Sequence, residues 1–242
     1  MIYELRGKIP QNSSFIYSED VLTSTIFGNL RYLSSTDILK SFLSKAVNLQ
    51  NQNYECCLLN KIDYHFWNKY TKKNSSQINE PDLLLEDEEN VLIIECKYHS
   101  SLDENISEQE ADYTNQLLRY STIINDYYSS KKNKTIIFLT LDNYDYEPCL
   151  RKTTSKLSSD IGLYWLHWEA LYPILENYSK SGLSQNEQFL VDDLLKFMQG
   201  RNFDYFKGIK NYKTQFNWQY TVDSKYIFSS KFNSFSWRYK DE

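Results

Sequence analysis

The sequence predicts an α/β fold in which a mixed central sheet is flanked by helices and followed by an aromatic-rich C-terminal extension. Three observations carry this. Two apolar runs of strand length, Val91-Leu92-Ile93-Ile94 and the KTIIFLTL segment at 134–141, are bounded by polar residues. Other segments repeat apolar residues at helical spacing, as Leu22, Ile26, Leu30 and Leu33 do. The two kinds of segment follow one another as helix, strand, hairpin, helix, strand, strand, helix, the order of a sheet with helices on its faces. With 242 residues and 28.9 kDa, the chain is long enough for one well-buried domain with some decoration.

Each element has a local reason. The first helix starts after Ser18, with Glu19 and Asp20 in the turn where the helix dipole favours acids. Ser35, Thr36 and Asp37 can cap a second helix whose apolar positions are Leu39, Phe42, Leu43 and Ala46. Residues 56–66 read as a first strand. Residues 82–98 read as a hairpin, two apolar runs around Asp87-Glu88-Glu89-Asn90, which offers turn residues at both ends. Ser107-Glu108-Gln109-Glu110 fits a capping box opening a long helix to about Tyr128. Residues 134–141 and 163–168 read as strands, and 169–178 and 184–198 as helices, with Gly200 as the final C-cap. Residues 1–210 are expected to form the main domain. Residues 211–242 form an extension: positions 211–240 hold ten aromatics and five Lys or Arg against one acid, Asp223. Phe216, Trp218 and Tyr220 alternate with polar residues as in a half-buried strand, so the extension is expected to pack on the domain, with a base-stacking, phosphate-contacting surface as the other reading.

Composition narrows the function. No uncharged apolar stretch approaches the ~18–20 residues of a membrane span, and the N-terminus MIYELRGKIPQ has no signal-peptide core. The cysteines Cys56, Cys57, Cys96 and Cys149 follow no disulfide or zinc spacing, so a reduced, cytoplasmic protein is expected. His65, His99 and His167 are too scattered for a zinc site and read as structural. GxGxxG and GxxxxGK[ST] motifs are absent, which removes the usual support for dinucleotide or P-loop chemistry. Residues 82–112 hold eleven Asp or Glu and one base, Lys97; against a net charge of −5 for the chain, the remainder carries +5. That asymmetry suits carboxylates that hold cations beside surfaces that meet a polyanion, although an acidic run is also the ordinary composition of a solvated face.

The chemistry gathers on Asp82, Glu95 and Lys97. A hairpin turn centred between Glu88 and Glu89 pairs Leu85 with Leu92, Leu83 with Ile94 and Asp82 with Glu95, opposing the two carboxylates on one face at about 4.5–5.5 Å between Cβ atoms. Lys97, two residues beyond Glu95, falls on the same face. Opposed carboxylates repel, and a divalent cation such as Mg2+, satisfied by one or two carboxylates, removes that cost. Each residue also has a plainer reading: Asp82 opens a strand after Pro81, Glu95 and Lys97 pair on an edge, and Glu19 answers a helix dipole. Against the plain reading of Glu95, it follows four apolar residues, where an unpaired charge is costly.

Pro81-Asp82, a spacer of twelve, then Glu95-Cys96-Lys97 resembles the PD-(D/E)xK signature of the restriction-endonuclease-like nuclease superfamily. Gln116-Leu117-Leu118-Arg119-Tyr120 on the following helix resembles the QxxxY motif of its RecB-like branch, and Glu19 stands where many members supply a further acid. The resemblance covers roughly residues 15–170. It implies a restriction-endonuclease-like core of helix, three antiparallel strands, helix and a further strand, with hydrolysis of DNA phosphodiester bonds using Mg2+ or Mn2+. It implies that Asp82, Glu95 and the Cys96 carbonyl hold the metal, with Glu19 as a further acid, that Lys97 is catalytic, and that Gln116 and Tyr120 contact substrate. DNA is then the expected partner, with a homodimer for duplex cutting, a separately encoded ATPase or helicase, and a place in antiviral defence as further expectations. The alternatives are a non-cleaving nucleic-acid-binding or recruitment subunit of a larger machine, and metal-dependent hydrolysis of a small phosphate ester.

Overall fold

The computed structural model describes residues 18–59, 61–71, 78–98, 106–141, 146–179, 182–201 and 203, with side chains of the helix at 106–127 described from Gln116 onward. All lie in the unit Met1–Tyr205; the second unit, Phe206–Glu242, lies outside them, and with it the extension expected at 211–242. The fold is α/β, a mixed five-stranded sheet with helices on both faces. Strands β1 (Asp63–Phe66), β4 (Leu83–Glu86) and β5 (Asn90–Lys97) are antiparallel neighbours, and β6 (Asn133–Thr140) and β7 (Ile161–His167) continue the sheet parallel to β5. A two-stranded ribbon, β2 (Tyr70–Thr71) with β3 (Ile78–Asn79), lies between β1 and β4 in the chain.

Side-chain alternation splits the core in two. On one face Leu83, Leu85, Leu92, Ile94 and Cys96 pack with α1 (Glu19–Leu30), α2 (Asp37–Leu43), α5 (Leu171–Tyr178) and α6 (Gln185–Gln199). On the other, Leu84, Val91, Ile93, Ile136 and Phe138 pack with α3 (Ile106–Tyr127) and α4 (Tyr146–Thr154). Every β5 residue from Asn90 to Cys96 is therefore buried, as expected for a strand covered on both faces. Ser18 caps α1 by accepting the Val21 N–H, and Ser184 and Glu187 close a reciprocal capping box on α6. Gly200 is the C-cap of α6 but keeps a right-handed backbone, φ −62°, so the conformational freedom of glycine is not used there. Among the described residues, no helix is long and apolar enough to cross a membrane. All four cysteines are free thiols.

Three expectations are corrected. Residues 56–62 are not strand; β1 starts at Asp63. The backbone of that segment bonds instead to side chains of the β4–β5 turn: Leu59 N–H donates to Asp87 Oδ2 at 2.7 Å, and Cys57 C=O accepts from Asn90 Nδ2 at 3.1 Å. Between β6 and β7 stands a helix, α4, that the expected order lacked. Two parallel strands need a crossover, and α4 supplies it despite Pro148 and paired threonines, which mask helical periodicity; Pro148 lies in the first turn, where its missing N–H has no intrahelical partner to lose. The last strand runs Ile161–His167, and Trp168 belongs to the 3-10 turn Trp168–Ala170 that leads into α5. The helix expected to open with a capping box at 107–110 already begins at Ile106, one residue before Ser107, and ends at Tyr127, close to the expected Tyr128; the side chains of 107–110 lie outside the described set.

The turn of the hairpin is a buried polar knot. Asp87 accepts hydrogen bonds from the N–H groups of Leu59, Glu89 and Asn90 and from Asn90 Nδ2, all within 2.7–2.9 Å. Burial pushes the Asp87 carboxyl up, but these donors outweigh it and hold its pKa below the usual carboxylate value. Its stabilising contribution is therefore present above the unfolded-state pKa and is lost as pH falls through the lower, folded value. Asp87→Ala leaves several buried donors unpaired, and we expect it to lower unfolding stability at neutral pH by about 3 kcal/mol, with the denaturant m-value unchanged. A urea melt checks this; a loss under about 0.5 kcal/mol, the level of ordinary surface substitutions, would show that the knot does not hold the turn.

Candidate active site

The β4–β5 register carries the site. Leu83 pairs with Ile94, Leu84 with Ile93, Leu85 with Leu92 and Glu86 with Val91, the pairing expected from the turn residues. Continued by one residue, it sets Asp82, in the bend after buried Pro81, across from Glu95. Asp82 Oδ2 accepts the Cys96 N–H at 2.8 Å, and the Asp82 carboxyl lies near enough to Glu95 to feel its charge. Lys97 follows on the same face, its Nζ 2.5 Å from Glu95 Oε1 and 3.3 Å from Glu19 Oε1. Glu19, in the first turn of α1, also accepts the Tyr98 N–H through Oε2 at 3.1 Å. Its neighbour Asp20 is exposed.

On the α3 face of the sheet, where Glu95 also points, α3 brings Tyr120 against Glu95. The Tyr120 hydroxyl donates to Glu95 Oε2 and accepts from Gln116 Nε2 at 3.1 Å, one helical turn away. Glu95 is 1% exposed and Tyr120 2% exposed, so the tyrosine supports the carboxylate and only Gln116 is half-buried. The Cys96 thiol points into the core on the α1 side, and burial raises its pKa well above the ordinary value, which leaves the main chain as the part of Cys96 at the site. The structure thus brings Glu19, Asp82, Glu95, Cys96, Lys97, Gln116 and Tyr120 together at one end of β5.

The charges are strongly coupled. Burial, and then the negative charge of Glu95, pushes the Asp82 carboxyl up to about 7 against the opposing pull of Lys97 and the Cys96 N–H. Burial also raises Glu95 and Glu19, with Lys97 pulling both back. For Lys97, burial alone would favour the neutral amine, but the charges of Glu95 and Glu19 outweigh it and raise its pKa. Burial, followed by Glu95, raises Tyr120, so its hydroxyl stays a donor.

Among the described residues, no group of three or more His, Cys, Asp or Glu is arranged to hold a metal ion. Two carboxylates with a main-chain carbonyl are nevertheless a hard-oxygen set of the size Mg2+ requires, and a bound cation would offset both causes that raise Asp82, the burial of its charge and then its repulsion by Glu95. The donor set therefore fits a divalent ion at Asp82 and Glu95. The histidines stand elsewhere in roles consistent with structure: His65 Nε2 lies 3.8 Å from Glu86, and the ring of His167 bridges the Leu141 carbonyl and the Glu169 N–H; His99 lies outside the described residues.

Sequence reasoning missed Trp67, whose N–H donates to the Asp82 carbonyl at 3.3 Å from a left-handed backbone, φ 51°. No sequence signal points to it, since bulky residues avoid that conformation. Comparison of this chain with protein-family models, with curated proteins and with solved structures gives no match.

A carboxyl whose folded pKa is raised binds its proton more tightly folded than unfolded, so its stabilising contribution is complete below the unfolded value near 4 and is lost as pH rises towards 7. We therefore expect the protein in EDTA to lose stability across that window. Asp82→Asn, which cannot ionise, should flatten the slope, as thermal melts of both proteins from pH 4 to 7.5 will show. Parallel slopes would mean that Asp82 is not the coupled group.

Proposed function

We propose that this protein is a metal-dependent nuclease that hydrolyses DNA phosphodiester bonds. The observation that carries the reading is the convergence of Asp82, Glu95 and Lys97 on one buried strand end, where three charged groups within hydrogen-bonding reach are costly to a fold that has no use for them. The element order gives further support: α1, three antiparallel strands, α3 and a parallel β6 follow the sequence of elements that the PD-(D/E)xK resemblance implies.

In this reading Asp82, Glu95 and the Cys96 carbonyl hold Mg2+ or Mn2+, with Glu19 beside them, and the ion supplies Lewis-acid polarisation of the phosphoryl group and an acidified water. The chain's own groups do the rest. Lys97, kept protonated by Glu95 and Glu19, acts as a cation toward the charge that builds on the phosphoryl oxygens rather than as a base. Glu19 holds the same ammonium that Glu95 does. Tyr120 fixes one oxygen of Glu95, and Gln116 fixes the Tyr120 hydroxyl, so both act by positioning the carboxylate. A non-cleaving DNA-binding subunit is the rival, favoured by one observation: both Glu95 oxygens are already engaged by protein groups.

Labelled single-stranded, duplex and branched DNA, incubated with the full chain, separate the two. We expect cleavage with Mg2+ or Mn2+ and none in EDTA; binding without cleavage under all conditions would favour the rival. Asp82→Ala and Glu95→Ala should abolish cleavage, and Asp82→Ala should melt in EDTA no lower than the parent, because it removes a like-charge neighbour. A sharp fall in melting temperature would mark Asp82 as a structural residue. Gln116→Ala should lower turnover about tenfold, the low end for a group supporting a ligand, with Mg2+ affinity by calorimetry nearly unchanged. Loss of metal binding in that variant would contradict its indirect position.

A further inference from the structure

Trp67 combines two features that no other described residue combines. Its backbone is left-handed at φ 51°, a conformation in which Cβ crowds the following carbonyl and which a bulky residue occupies only when its surroundings over-determine it. Its indole Nε1 is buried and has no hydrogen-bond partner among the described residues, an arrangement native folds generally avoid. The ring is held against Phe66, with centroids 5.5 Å apart. Of the two non-glycine residues with positive φ among the described residues, the other, Asn51, is of a type that tolerates the conformation through its short polar side chain.

The place of this strain is informative. Strand β1 pairs with β4 through Phe66 and Leu83, and the next position in that register sets Trp67 opposite Asp82. Trp67 makes one more rung, its N–H to the Asp82 carbonyl, and there its left-handed turn takes the chain off the sheet edge. An extended residue would carry β1 onward along Pro81. As built, Asp82 is fixed twice: by its carbonyl to Trp67 and by its carboxylate to the Cys96 N–H. With β4 beginning only at Leu83, these two bonds hold Asp82 just outside the regular ladder, opposite Glu95.

We infer that Trp67 is a positioning residue for Asp82, and that its left-handed backbone, rather than its ring, sets the direction of that carboxylate. The value of that direction for metal binding rests on the nuclease reading; the positioning itself does not. The two are separable because the Cys96 amide reports the carboxylate directly. Trp67→Val, a β-branched residue hostile to this backbone, and Trp67→Gly, which adopts it freely, are compared in the full chain by hydrogen exchange. In Trp67→Val the Cys96 amide should exchange about tenfold faster while the Ile94 amide, in the interior of the same strand, is unchanged. Trp67→Gly should keep parental protection at Cys96.

Unchanged Cys96 protection in Trp67→Val would overturn the inference. So would equal losses in the valine and glycine variants, since the ring would then be the agent. Faster exchange at Ile94 along with Cys96 would mark a general loosening of the sheet and overturn it as well. Calorimetry with MgCl2 tests the dependent step: Trp67→Val should bind Mg2+ about tenfold more weakly than Trp67→Gly, the scale expected for a group that orients a ligand. A parent protein that takes up no Mg2+ or Mn2+ would remove the nuclease reading, while the exchange data would still decide whether Trp67 positions Asp82.

Discussion

Pairing of β4 with β5 is the constraint on which the rest depends, and it is set at both ends of the hairpin. At the turn, Asp87 draws in donors from Leu59, Glu89 and Asn90, while Lys131 donates to its carbonyl. Side-chain alternation has a period of two, so a slip of one residue would send Glu95 and Lys97 to the α1 side and bring Cys96 to the α3 side. The same slip would put Ile94 and Leu92 on the wrong core. Because β5 is covered on both faces, that alternative buries two charges in an apolar layer, and the folded chain excludes it.

The hairpin then delivers charge to a place where the sheet interior would otherwise be apolar. Three carboxylates and one ammonium meet there, and their arrangement decides which charges persist. Lys97 bridges Glu95 and Glu19 and stays cationic, whereas Asp82, paired chiefly with a backbone N–H and facing Glu95, has its proton affinity raised. Such a cluster is poor material for stability, because the desolvation of each ion offsets much of the attraction between them. Its place at the end of a strand buried on both faces makes it the candidate functional site on physical grounds, independently of any resemblance.

How much of this was legible in the sequence follows from the range of the interactions involved. The hairpin was, because Asp87 and Asn90 flank a short turn and the apolar residues on either side share one register; Asp82, Glu95 and Lys97 followed from it. Glu19, Gln116 and Tyr120 were reachable only through the resemblance, and the geometry adds what that could not: Glu19 engages Lys97, and the Tyr120 hydroxyl bonds to Glu95. The start of β1 was not legible, because the segment before it bonds to Asp87 and Asn90, about thirty residues on, instead of to a strand. Helix α4 was hidden by Pro148 and by a mostly polar sequence that buries only Cys149, Leu150 and Thr153. Trp67 was least accessible of all, since its conformation opposes its own propensity.

One helix joins the two ends of this arrangement. Near its middle, α3 sets Tyr120 against Glu95; just past its C-terminus, Lys131 reaches the Asp87 carbonyl, and the N–H groups of Lys132 and Asn133 donate to Glu89 at 2.8 and 3.1 Å. Asn133 Nδ2 adds a bond to Asn90 Oδ1 at 2.7 Å as β6 begins. The segment that supports the candidate catalytic carboxylate is therefore the one that clasps the turn fixing its register. A displacement of α3 along β5 would strain the clasp at the turn before it could withdraw Tyr120 from Glu95. The buried hydroxyl is thereby held at the carboxylate by contacts made past the C-terminal end of its helix, and the rigidity of the site is a property of the whole hairpin–helix unit.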